Sequence, residues 1–229
     1  MAVGNATTRA LTTLRLMQLS SPALPIGAFA YSQGMEQAAA RGWVDEQSLQ
    51  GWLHGRLLNC VAGTDLPLLE RHHRAWQRGD IQEAWRWSRV VHAMRDTAEL
   101  QREEQHLGSA LARLLCHLGM AQAQAFQAHP EVSYVGMYAL AAVTWEIEAG
   151  DAMAGFAFAW LEGQLGAAAR LLPLGQLAAQ TVLSSLLPAI DQAVSKAREL
   201  KDDEIGYLAQ GVSMASSWHE QQYSRLFRS

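Results

Sequence analysis

Leu107, Leu111, Leu114, Leu115 and Leu118 recur at i, i+4, i+7, i+8 and i+11, which puts all five on one face of an α-helix. Leu174, Leu177, Ala178, Thr181, Leu186, Leu187, Ile190 and Val194 trace a second such face. Period-two alternation bounded by turn residues is scarce. A chain patterned this way buries its apolar stripes helix against helix. The expected class is therefore all-α: a single domain over residues 1–229, a bundle of about ten helices with no significant sheet. Punctuation places the helices at 8–20, 31–41, 46–62, 65–77, 80–93, 96–118, 134–148, 152–171, 174–199 and 203–216. Asp45, Asp96 (with Glu99) and Ser133 are the expected N-terminal caps, and Gly150-Asp151 the expected break between two helices. Small residues crowd Ala139 to Ala169, which suits a tight centre or a self-association face.

Composition narrows the function classes. Of 229 residues, 49% are hydrophobic and only 17% charged, so little polar surface is left to cover the fold and a partner-covered apolar face is expected. Net charge is -4 and no basic stripe stands out, which argues against nucleic acid. Cys60 and Cys116 lie in apolar helical stretches, a pattern of free thiols in a reducing cytoplasm. The N-terminus lacks the layout of a signal peptide. Leu171 to Ile190 carries no charge, but its two prolines, Gly175, glutamines and serines read as a buried helix with an entry turn, not a membrane span.

Several fragments look like chemistry. Ala30-Tyr31-Ser32-Gln33-Gly34 approaches the G-x-S-x-G nucleophile elbow, yet the elbow needs a preceding strand and here a Pro-Gly loop precedes it. A hydrolase using Ser32 is one rival reading; a serine at a helix start is the other. His219-Glu220 begins like H-E-x-x-H, but Tyr223 stands at the second ligand position, leaving an ordinary polar pair. His72 and His73 are adjacent, point to different sides of a helix, and suit a solvated face. Glu99, Glu103 and Glu104 among Arg95 and Arg102 read as paired surface charges. The eight histidines are scattered, so a simple nickel-binding protein is a further rival with only weak binding expected. Neither G-x-x-x-x-G-K-[ST] nor G-x-G-x-x-G occurs, so any nucleotide in this biology belongs on another chain.

Two stretches break the helical pattern. Ser20 to Gly34 packs two prolines, two glycines and two aromatics into a short span, and Ser216 to Ser229 mixes Trp218, Tyr223, Leu226 and Phe227 with Arg225 and Arg228. Aromatics and arginines dominate binding hot spots, so residues 216–229 read as a docking segment whose removal is expected to leave the helical fold intact.

These same stretches resemble a known family. SPALPIGAFAYSQGMEQAAARGWV from Ser21 is similar to the N-terminal signature of the urease accessory protein UreF family, and HEQQYSRLFRS from His219 to its C-terminus. Thr97-Ala-Glu-Leu, Gly108 and the block Leu171 to Gln180 match further family blocks in order. The resemblance implies an all-α, dimeric, cytoplasmic, non-enzymatic adaptor. In that family the adaptor joins UreD (also called UreH) and the GTPase UreG, and the assembly docks on urease apoprotein to place its two nickel ions. UreE supplies the nickel, UreG binds the GTP, and the adaptor holds no cofactor tightly. It implies that Tyr223, Ser224, Arg225, Leu226 and Phe227 order against UreD, and that Arg225 and the aromatic at position 29 lie where the GTPase is recruited. Position 29 is Phe29 here where some members carry tyrosine, so ring stacking is retained without a hydroxyl. Arg170 stands where relatives carry a basic residue. The candidate partner-binding set is Phe29, Tyr31, Ser32, Gly34, Arg170, His219, Tyr223, Ser224, Arg225, Leu226, Phe227 and Arg228.

Overall fold

The computed structural model describes the backbone from residue 2 and the side chains from residue 9, in both cases to residue 229. Among the described residues there are ten α-helices and no strand: α1 (Ala2–Leu19), α2 (Met35–Ala40), α3 (Leu49–Arg56), α4 (Leu66–Gln77), α5 (Ile81–Ala93), α6 (Ala98–His117), α7 (Tyr134–Thr144), α8 (Ala149–Leu171), α9 (Gln176–Glu199) and α10 (Gln210–His219).

Helix starts follow side-chain chemistry. Ser133 accepts from the Gly136 amide and Asp80 from the Glu83 amide, each quenching an orphan N–H of a first turn. Thr97, one residue past the expected Asp96, is the cap of α6 and accepts from Leu100. The break before α8 falls at Glu146, in the left-handed region at φ 58°, so Gly150-Asp151 lies inside the helix. The expected helix over 203–216 is displaced to α10. Residues 200–209 form a strap instead, in which Gly206 adopts φ 129° and its amide donates to Gly63 O at 2.9 Å.

That carbonyl has no α-helical donor at i+4, because residue 67 is proline and carries no N–H. Leu57–Asp65 is π-helical and joins α3 to α4 as one continuous rod. Wider π turns displace backbone groups from the regular ladder, and such turns gather at functional sites. The rod's second half is the centre of the molecule, packing against α5 and α7 and also against α8 and α9. This enclosure corrects one sequence expectation. His72 and His73 do point to different sides of α4, but both sides are covered, and they are 0% and 2% exposed. The His72 Nδ1–H donates to Leu68 O, and its Nε2 faces the Ser88 hydroxyl, which in turn contacts Ser133 Oγ. Burial holds the His72 pKa down to about 4, so the ring is neutral and accepts from Ser88.

The small residues of α7 and α8 allow close approach, as the sequence implied. A Cβ on Gly155 would stand 2.5 Å from Leu16 Cδ1 and 2.6 Å from Ser20 Oγ, so the bare Cα lets these α1 side chains seat directly on α8. Gly108 does the same for α6 against the start of α7. The uncharged stretch 171–190 is only half as expected. Residues 172–175 make the entry turn, but α9 buries one side alone and leaves Leu177 87% exposed. No helix among the described residues is long and apolar enough to cross a membrane.

Candidate functional site

The two irregular stretches meet. After a 3-10 turn over Ala28–Ala30, the chain runs extended through Tyr31 and Ser32, then through two left-handed residues, Gln33 at φ 53° and Gly34 at φ 80°. Gly34 is needed on two counts: its φ, and a Cβ there would lie 3.0 Å from the Ser216 amide nitrogen. This close approach lets α10 pack on α2. The tail beyond α10 then returns along residues 30–36.

Three carboxylates and an imidazole hold it. The buried Glu36 carboxylate accepts from the Leu226 and Phe227 amides at 2.9 Å each, from Gln222 Nε2 at 2.9 Å and from His219 Nε2 at 3.2 Å. His219 Nδ1 faces Glu99 Oε2 at 2.8 Å, so the ring bridges the Glu99 and Glu36 carboxylates. Arg225 donates to Glu99 at 2.8 Å and to Glu220 O. The Ser229 hydroxyl donates to Glu103 at 2.7 Å, and Ser229 O accepts from the Ser32 amide and from Ser32 Oγ at 2.6 Å. Burial pushes the Glu36 pKa up, but the two tail amides and His219 more than offset it, so it lies below the ordinary value. For Glu103 burial dominates over the bonds from Gln33 and Ser229, and the pKa rises to about 6.

These contacts correct three expectations. His219-Glu220 is no loose polar pair, since His219 is 0% exposed. Glu99, Glu103 and Glu104 are buried acceptors, not a surface charge run: Glu104 shares Arg95 with Asp65, both at 2.6 Å. The segment 216–229 is seated on its own chain, with Ser216, Phe227 and Ser229 buried, so its removal would strip part of the core and the expectation of an intact fold is revised. Ser32 is fully buried, donates to Ser229 O and accepts from the Glu36 amide, an arrangement that leaves no nucleophile facing a substrate.

The candidate residues divide accordingly. Tyr31, Ser32, Gly34, His219 and Phe227 are buried and hold the tail, whereas Phe29, Arg170, Tyr223, Ser224, Arg225, Leu226 and Arg228 are exposed. Phe29 is 74% exposed and Tyr223 is fully open. Arg170 joins the two sets. Its guanidinium lies 4.4 Å over the Phe227 ring and donates to Phe29 O at 3.1 Å. The Arg228 amide donates to Ala30 O, and the Tyr31 hydroxyl reaches His106 Nδ1 at 3.1 Å. Glu36, Glu99, Glu103 and Gln37 were missed as tail partners. The one available signal was an acid in a first helical turn with no basic residue at i+3 or i+4, as at Glu36.

A sequence model of the UreF family matches residues 43–187. The chain belongs to the UreF family. Proteins called urease accessory protein UreF align along nearly the whole chain: that of Chromohalobacter salexigens is 51% identical over 93% of each chain. That of Alkalilimnicola ehrlichii is 42% identical over 96% of each. That of Teredinibacter turnerae is 45% identical over 94% of this chain and 98% of its own. In this UreF chain the family model spans the helical body from Trp43 to Leu187, and the clasped loop and tail lie outside it. No group of three His, Cys, Asp or Glu side chains among the described residues is placed to hold a metal ion.

Proposed function

We propose that this chain serves urease maturation as a non-catalytic helical adaptor, working with UreD/UreH and the GTPase UreG on urease apoprotein in the cytoplasm. It is proposed to act as a homodimer, with nickel as the cargo of the assembly and GTP on UreG. The observation that carries the reading is the alignment, over more than nine-tenths of both chains, with proteins called urease accessory protein. The surface supports it. Phe29, Tyr223 and Leu226 are large apolar side chains left in water beside Arg170, Arg225 and Arg228, the residue types that anchor protein interfaces. The tail beneath them is latched by polar bonds more than by apolar burial, so a partner that supplies equivalent bonds can exchange with the latch at little net cost.

Coexpression of the urease subunits and the other accessory proteins with and without this chain tests the proposal. Urease nickel content and activity should fall to background without it. Equal nickel content in both preparations refutes the role.

A further inference from the structure

A cavity of about 290 Å³ opens between the start of the N-terminal loop, the π-helical rod, α6 and α8. Arg56, buried, and Arg95, partly buried, line it, and they are held differently. Arg95 sits on two carboxylates, Asp65 and Glu104, at 2.6 Å each. Burial alone would lower its pKa, and those two anions outweigh it and raise it. Arg56 is the more deeply buried of the two, but its two side-chain acceptors are neutral amides: Gln164 Oε1 at 2.6 Å and Gln33 Oε1 at 2.8 Å. Its Nε–H has no acceptor among the described residues, the Cys60 sulfur beside it is a weak one, and its cation leans on the Trp160 ring at 5.2 Å. No carboxylate of the described residues forms an ion pair with it. A guanidinium taken out of water without an ion-paired carboxylate is disfavoured, and the charges of Glu103 and Asp65 at longer range offset this only in part. The fold nonetheless holds it in place with two amides, one of them on Gln33, itself in a left-handed backbone and further tied to Glu103 and Trp160.

We propose that Arg56 is the anchor of a binding site for a small carboxylate within this cavity. Arg56 uses two of its five N–H donors on the protein, and a guanidinium edge accepts a carboxylate in a bidentate pair. The remaining wall selects size and charge. Leu107, Phe156 and Trp160 give apolar surface for a short alkyl group, while Glu103, Asp65 and Glu104 in the same cavity repel a dianion such as phosphate. The site borders the tail surface, sharing Tyr31, Glu103 and Arg170 with it, but the acetate test does not depend on the adaptor role.

Calorimetric titration of the full chain with sodium acetate, against sodium chloride at matched ionic strength, tests it. Wild type should bind one acetate per chain saturably. Arg56→Met should weaken that at least tenfold while keeping its helicity by circular dichroism. Arg56→Lys, which keeps the charge but loses the fork, should weaken it about tenfold. If Arg56→Met fails to fold, the wild-type titration and Arg56→Lys decide alone. Absence of saturable acetate binding by wild type, undiminished binding by either variant, or chloride binding equal to acetate would overturn the assignment.

Discussion

Glu36→Gln isolates the latch on the tail. The Glu36 carboxylate serves four donors, with Gln222 Nε2 and the Leu226 amide nearer Oε1, and His219 Nε2 and the Phe227 amide nearer Oε2. A glutamine is almost the same size but presents one oxygen and one NH2 group. In either orientation two donors face an N–H. Hydrogen bonds to a charged group are each worth about 1.5–3 kcal/mol, so holding the tail in place would cost about 3–6 kcal/mol. The tail can leave, which caps the loss at its own docking free energy. A loss of about 3 kcal/mol corresponds to roughly a hundredfold larger opening constant. Hydrogen exchange reads this directly: protection of the Leu226 and Phe227 amides should drop by that factor, while α4 and α7 keep theirs. The pH dependence carries a sign. The folded pKa of Glu36 lies below the ordinary 4.5, so the ionised group stabilises docking above pH 4.5, and this is lost as pH falls through the folded value. Wild-type tail protection should therefore fall below pH 4.5 and that of Glu36→Gln should not. Tail amides exchanging within threefold of wild type in the variant would refute the latch.

Three further outcomes are expected. Gly108→Ala places a Cβ 2.8 Å from the Ser133 carbonyl carbon and 2.9 Å from the Tyr134 nitrogen, both backbone atoms that cannot swing aside, so urea unfolding should show a loss of about 1–3 kcal/mol or more. Glu103→Gln should abolish a pH dependence: the wild-type pKa is raised from 4.5 to about 6, so the stability this group contributes is full below 4.5 and is lost as pH rises through 6. That makes the variant about 2 kcal/mol more stable relative to wild type at pH 8 than at pH 4, measured by chemical denaturation at the two pH values. Phe29→Ala and Tyr223→Ala remove exposed rings, so melting should stay within about 0.5 kcal/mol of wild type while pull-down of UreG and UreD falls; unchanged capture by both would count against the surface.

The apolar periodicity of Leu107 to Leu118 was enough to read α6, because a 20-residue amphipathic helix announces its buried face in its own spacing. The class all-α and the Ser133 cap were legible for the same reason: both depend on residues within a few positions of one another. The conspicuous composition of the loop and tail marked both stretches as important, but not that each is the other's partner. Ser32 and Ser229, or Glu36 and Phe227, lie almost two hundred residues apart, and local pattern carries no distance information of that range. The acids Glu99, Glu103 and Glu104 and the His72-His73 pair look like surface residues in sequence because charge is normally solvated. Only tertiary structure supplies the donors that make their burial tolerable. What the sequence by itself determined, then, is the all-α class and most of the helical segments, though not the strap over 200–209. Which polar groups are enclosed, and whether the tail is free or clasped, was decided by packing, because the desolvation of a charged group depends on every element that closes around it.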